Sequence, residues 1–346
     1  MIEVRSEGII LESSQNEFEN QAVLNPACIE KDGITHMFYR AVRKTDMCSS
    51  IGYCQLVDNK VVLRSQKAVI VPEYDYDKKG VEDPRIVFLD GTYYLFYTVY
   101  DGTNALFAYA TSTDLINFEK HGIISPRFTY AEAGSLFGSS PIRIREKYFF
   151  FESYIKDRQG GDILLWEKDA FIFPKKINNK FALIHRVLPG IQVIYFDDFK
   201  ELTDDYWREY FKDMGRYVML DPEYRFESRN IGGGCPPIET AEGWLLIYHA
   251  VEDSRAGRIY HAAAALFDLD DPVKVIARMK KPLFSPGQKW EKEGDVNNVV
   301  FPTGTAMKDG RLYIYYGAAD KRIAAKSVDM GELLKELKKK RNAVQR

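Results

Sequence analysis

Several features that would point to a function class are absent from this sequence. No apolar run approaches the roughly 20 residues a membrane-spanning helix needs. The longest, such as 262–267 and 299–301, stop far earlier. The first ten residues, MIEVRSEGII, lack the basic-then-apolar order of a secretory signal. A cytoplasmic location is therefore expected, with a periplasmic one as the alternative. No sign of charge dominates: 48 Lys and Arg stand against 50 Asp and Glu, a net −2. That argues against nucleic acid as a partner, which calls for a basic field. The four cysteines, Cys28, Cys48, Cys54 and Cys235, form no CxxC pair. In a chain of 346 residues they read as reduced thiols, not a disulfide framework or a zinc site. The five histidines make neither an HExxH motif nor a triad pattern, so zinc-hydrolase and serine-hydrolase chemistry drop out. No metal or organic cofactor is expected.

Aromatic residues, by contrast, are plentiful, at 14% with 22 Tyr and 21 Phe. They favour strands, and they stack on ring-shaped ligands. One pattern recurs: a turn residue, then alternating aromatic and aliphatic residues, then a polar tail. It occurs at 33–42 (GITHMFYRAV), 91–101 (GTYYLFYTVYD), 146–155 (EKYFFFESYI), 179–188 (NKFALIHRVL), 243–253 (GWLLIYHAVED) and 310–320 (GRLYIYYGAAD). Period-2 alternation after a turn predicts a half-buried antiparallel strand. Strands at 26–30, 83–89, 171–177, 236–240 and 301–307 precede the copies. Repetition along the whole chain predicts an all-β fold, a five-bladed β-propeller over residues 1–346 as one domain. The copies at 146 and 179 lie too close for two blades, so one reads as an inserted hairpin; six blades is the alternative. Helix signal is confined to 203–213, opened by a capping Thr, and to a short Lys-rich C-terminal helix at 330–341.

In a propeller the inner strands converge on a channel, so distant residues can share one pocket. GVEDPRI at 80–86 sets Glu82 and Asp83 before a proline at a strand start, and period 2 places Arg85 on the face of Asp83. An acid beside a cation suits sugar binding and proton transfer, although Asp-Pro alone also initiates turns. IGGGCPPIETAEGWLLI at 231–247 forces a tight entry into a strand carrying Glu239; it is neither a Walker loop nor GxGxxG. The plainer reading of the glycines is a close-packed crossing. His249, His185–Arg186 and the segment from Asp295 to Gly304 complete the candidates.

Together these segments resemble glycoside hydrolase family 130, the β-mannoside phosphorylases and β-1,2-mannosidases. GVEDPRI, FPKKINNKFALIHR at 173–186, IGGGCPPIETAEGWLLIYHAV at 231–251 and GDVNNVVFPTG at 294–304 occur in the family's order. The resemblance implies a five-bladed propeller. It implies Asp83 as general acid, its proton passing through a hydroxyl of the bound mannose. Asn25, Arg40 and Arg85 match polar pocket positions, and Arg186 matches an Arg of the family's HRP segment, with Val187 here in place of Pro. One departure bears on the reaction: the phosphorylases carry Lys, which helps hold phosphate, where this chain has Glu239. A carboxylate repels phosphate but can activate water, and an inverting hydrolase needs two carboxyls roughly 6.5–9.5 Å apart.

The expectation is thus an inverting exo-acting β-mannosidase on β-linked mannooligosaccharides. Asp83 and Glu239 are its catalytic pair; Asn25, Arg40, Arg85, Arg186, His249 and Asp295 bind substrate, with stacking from Tyr39, Tyr130, Phe226 or Tyr260. The alternatives are a β-mannoside phosphorylase with inorganic phosphate as co-substrate, an arabinan-type glycosidase with a third carboxylate, and a non-catalytic propeller binding carbohydrate or protein. The expected partner is a small carbohydrate, with no membrane; self-association is left open.

Overall fold

The computed structural model describes residues 2–255 and 257–344. Antiparallel strands dominate, so the all-β expectation holds. Four sheets form, and the largest, of eight strands, splits where its halves join through a single parallel pair, Ser49–Gly80. The chain thus makes five successive antiparallel units. Their leading strands are Ala22–Lys31, Gly80–Leu89, Lys168–Ile172, Asn230–Gly233 and Val300–Lys308. The fifth unit takes its outer strand from the other end of the sequence: Val4–Leu11 pairs with Arg322–Asp329.

Most of the recurrent aromatic segments are second strands, as their alternation requires. They are Ile34–Val42, Thr92–Tyr100, Phe181–Arg186, Gly243–Ser254 and Arg311–Ala318. The exception is EKYFFFESYI, expected as a strand, which lies in helix α2 (Glu146–Gln159). Tyr148, Phe151 and Ile155 are buried at 1%, 4% and 5% exposure, while Phe150 is 60% exposed. Spacing of three and four residues is helical, and the intervening aromatics hid it. The insertion is therefore helical, not a hairpin. It begins with α1 (Tyr130–Gly138), whose Thr129 and Glu132 form a reciprocal capping box. Helix α3 (Asp204–Lys212) starts where the capping Thr203 predicts, its side chain accepting from the Tyr206 N–H. The C-terminal helix spans Met330–Val344. No helix among the described residues is long and apolar enough to cross a membrane.

The first three leading strands share a device that positions the site. Pairing slips between Leu24 and Ala27, between Glu82 and Arg85, and between Lys168 and Phe171. Each slip is a β-bulge holding a left-handed residue: Asn25 (φ 48°), Asp83 (φ 50°) and Asp169 (φ 58°). Asn and Asp tolerate this region best among non-glycine residues. The cost is still about 1 kcal/mol or more each, and such strain gathers at functional sites. A bulge re-aims one side chain without breaking the strand. It also breaks the period, so Arg85 does not share the face of Asp83.

The glycine run is a crossing, as its plainer reading had it. A Cβ on Gly232 would lie 2.3 Å from the His249 ring and 2.6 Å from an Asp169 carboxylate oxygen. A Cβ on Gly234 would lie 2.5 Å from the Ile247 carbonyl.

Candidate active site

The three bulges open onto one cavity of about 640 Å³. All five units contribute to its wall, through Asn25 and Arg40, Glu82 and Asp83, Lys168 to Arg186, Asn230 to His249, and Phe301 with Asp320. Helix α2 adds Phe151, Tyr154 and Arg158 on one side. A second cavity, of about 490 Å³ beside α3, is walled by tyrosines and carboxylates and includes no cation.

At the centre, Asp83 Oδ1 accepts a hydrogen bond from Asn25 Nδ2 at 2.7 Å, and an Arg40 nitrogen lies 3.6 Å from it. Arg40 is itself fixed, donating to Glu82 at 2.7 Å and to the Ser49 hydroxyl at 2.9 Å. The second Glu82 oxygen faces Lys168 Nζ at 3.3 Å. The carboxylate beside Asp83 is thus held at both oxygens by cations.

Across the cavity, Asp169 binds Arg186 at 2.7 Å. Burial pushes the Asp169 carboxyl up, but Arg186 and Arg85 beside it prevail and hold it below the usual range. His249 is fully buried, its Nε2 3.8 Å from Asp169, its ring packed against Phe301 with centroids 4.4 Å apart. Burial lowers the pKa of His249 to about 4, with Arg186 and Arg85 adding to the effect, so the ring is neutral at pH 7. Neither ring nitrogen of His249, nor the buried Nε of Arg186, has a hydrogen-bond partner. Buried polar atoms are seldom left so. Both residues line the cavity.

The fourth carboxylate, Asp320, follows the second strand of the fifth unit with φ 51°. Burial raises its pKa to about 6, and Asp83, Asp295 and Glu82 add to this against Arg40.

Of the residues assigned to catalysis or substrate from sequence, Asn25, Arg40, Asp83, Arg186 and His249 line this cavity, as does Glu82, while His185 is buried against Glu167 and Tyr210. Three of the assigned residues do not line it. Glu239 is paired with Lys175 at 2.9 Å and is 45% exposed. Its strand partner is Trp244, whereas Gly232 faces His249 on the same long strand. Those positions are 249 − 244 = 5 residues apart, or about 17 Å at 3.3 Å per residue. The expected Asp83–Glu239 catalytic pair is therefore not formed, and the inference of hydrolysis loses its basis. Arg85 is wholly buried behind the bulge and donates to the carbonyls of Asp83, Pro84, Gly233 and Gly234. It braces the second unit against the fourth. Asp295 lies outside the lining, bonded to Gln21 at 3.1 Å and Lys321 at 3.3 Å. Among the stacking candidates only Tyr260 lines the cavity. Tyr39 donates to Glu19, Tyr130 accepts from the Trp166 N–H, and Phe226 is buried.

Sequence reasoning passed over Lys168, Asp169 and Asp320. The signal for Asp169 was present: KDAF carries its acid at the bulge position that LNPA and EDPR also fill.

A family model described as β-1,4-mannooligosaccharide phosphorylase, of glycoside hydrolase family 130, matches residues 2–339. A 1,2-β-oligomannan phosphorylase of Thermoanaerobacter sp. (strain X514) is 33% identical over 334 residues, covering 94% of this chain and 96% of that protein. A β-1,2-mannobiose phosphorylase of the same organism is 32% identical over 330 residues, covering 91% and 92%. Among solved structures, the β-1,2-mannobiose phosphorylase of Listeria innocua in complex with β-1,2-mannobiose superposes with a TM-score of 0.72. It is 22% identical and covers 97% of this chain and 99% of that one, a likeness of fold.

Proposed function

Since the chain belongs to glycoside hydrolase family 130, we propose that it is an inverting β-mannoside phosphorylase acting on β-1,2-linked mannooligosaccharides. The observation that carries this reading is the set of unspent buried donors on Arg186 and His249, in the same cavity as Lys168 and the acid Asp83. The cations Arg186 and Lys168 on one cavity wall suit a phosphate dianion. The two relatives matched along most of the chain, both named as β-1,2-mannoside phosphorylases, favour that linkage.

In this reading mannose sits over Asp83, and phosphate sits against Arg186, His249 and Lys168. A phosphate oxygen attacks the anomeric carbon from the face opposite the glycosidic bond. That bond breaks, and the leaving oxygen takes the proton supplied by Asp83. The products are α-mannose 1-phosphate and the shortened sugar. Phosphate is its own nucleophile, so one protein acid is enough. Hydrolysis would require a second carboxyl free to activate water. Glu82 and Asp169 are each tied to cations and Glu239 lies elsewhere; Asp320 is the one lining carboxyl without an ion pair among the described residues, so phosphate dependence decides between the two reactions. Neutral His249 donates one N–H to phosphate without adding charge that the buried site would have to solvate.

We further infer that the five units are the blades of a five-bladed β-propeller forming one domain. The convergence of the leading strands on one cavity supports this, as does the completion of the last unit by Val4–Leu11.

The deciding experiment incubates β-1,2-mannobiose with the enzyme at graded phosphate. The expected product is mannose 1-phosphate, formed at a rate that saturates with phosphate. Free mannose as the sole product, at a rate independent of phosphate, would overturn the reading.

A further inference from the structure

The charges lining the cavity divide into two sets. The inner set is paired within itself: Arg40 and Lys168 with Glu82, Arg40 with Asp83, Arg186 with Asp169. With Asp320, which also lines the cavity, three cations there meet four carboxylates. The outer set is three arginines: Arg158 from the last turn of α2, Arg229 beside the leading strand of the fourth unit, and Arg258 from that unit's third strand. Only Arg229 has an ion pair, 3.3 Å from Asp253, and Asp253 lies outside the cavity wall. Arg258 stands in strand register opposite that same Asp253, without an ion pair of its own among the described residues. Arg158 likewise has none. One carboxylate thus serves a mouth that carries three guanidinium groups.

Two of the three guanidiniums are also held in place. Arg158 lies 5.2 Å from the centre of the Tyr154 ring; Arg229 lies 5.8 Å from Phe151 and 6.0 Å from Tyr154. Stacking on a ring face fixes the plane of the guanidinium and leaves its N–H edge free for a planar or tetrahedral oxyanion. Tyr154 is not a vacant platform for a neutral sugar, because it already stacks with Phe150 at 5.9 Å as well as with Arg158.

We propose that this mouth is a binding site for an anionic group, phosphate or carboxylate, carried by the sugar on the leaving-group side. The proposal rests on the phosphorylase reading, with mannose and inorganic phosphate in the inner cavity. It adds that the physiological β-mannoside ends in a charged sugar. Helix α2 is the element that makes the site, since it supplies Arg158 and the rings on which Arg158 and Arg229 lie.

The test runs the reaction backwards with the full chain. Mannose 1-phosphate is supplied with mannose, mannose 6-phosphate or mannuronate as acceptor, and phosphate release is measured. The wild type should favour at least one anionic acceptor over mannose in kcat/KM. The double variant Arg158→Gln/Arg258→Gln should lower that selectivity ratio by about 10- to 100-fold, the usual value of charge-assisted bonds. Mannose 6-phosphate against mannuronate decides which anion is taken. If the variant slows all acceptors equally and raises KM for mannose 1-phosphate, the arginines only gather inorganic anions and the proposal falls. A wild type indifferent to acceptor charge overturns it too. Calorimetric titration of mannose 6-phosphate and mannose into both proteins needs no turnover. If no acceptor reacts, the phosphorylase reading fails, while tighter arginine-dependent binding of the phosphorylated sugar still upholds the site, and its absence rejects it.

Discussion

Two prolyl motifs of this chain look equivalent on paper and have opposite fates. GVEDPRI and GGGCPPIET each place an acid next to prolines at the entry to a unit. In the first, the acid is the bulge residue, turned by its left-handed backbone into the cavity beside Arg40 and Asn25. In the second, the glycines take the cavity end, packed against His249 and Asp169. The acid, Glu239, comes only after the chain has broken and resumed, and it faces Lys175 at the surface. Distance along the strand from the bulge, not proximity to proline, decides which carboxylate can do chemistry.

The sharpest way to break this comparison is to remove each acid. Asp83→Asn should fold normally and lose about 10²–10⁴ in kcat, the usual worth of a positioned acid. Substrates whose leaving groups need no proton should lose less; steady-state kinetics on both substrate types checks it. Next comes the anion cradle. Arg186→Gln or Lys168→Gln should raise KM for phosphate about 10- to 100-fold, since each removes a charge-assisted bond worth about 1.5–3 kcal/mol. Initial rates at graded phosphate read this out.

A smaller effect concerns Asp320. Its pKa in the folded protein, about 6, lies above the ordinary aspartate value of 3.8. Between those two values the folded state binds the extra proton, so stability from this group falls as pH rises from 4 to 6. Above pH 6 the partly buried carboxylate is a net cost to folding. Asp320→Asn should therefore raise Tm more at pH 7.5 than at pH 5, as measured by thermal melts at both. The least effect is expected at the other half of the comparison. Glu239→Gln breaks only an exposed ion pair, worth about 0–1 kcal/mol. It should leave kcat within about twofold.

Strand alternation carried most of the architecture in the sequence, because GTYYLFYTVYD and its relatives must present one face inward. The same alternation misled at EKYFFFESYI, where consecutive aromatics fit both periods and only packing against Asp221 and Gln192 through Tyr148 selects the helix. Asp83, Arg40 and Asn25 were legible through their motifs. Arg85 was misplaced because a bulge resets the two-residue period, and a bulge leaves no mark beyond a polar residue before proline or alanine. Lys168 was invisible for another reason: its meaning depends on Glu82, 86 residues away and in another unit.

The pairing of Val4–Leu11 with Arg322–Asp329 imposes an order on synthesis. Strand Val4–Leu11 is made well before its partner, which begins 322 − 11 = 311 residues later. At about 5–20 residues per second it waits roughly 15–60 s on the ribosome with its edge unpaired. Its charged, half-exposed sequence VRSEGIIL suits that wait, since charge on an open edge discourages wrong partners. The fifth unit is then a latch that shuts last, completed by a strand made well before the rest of it.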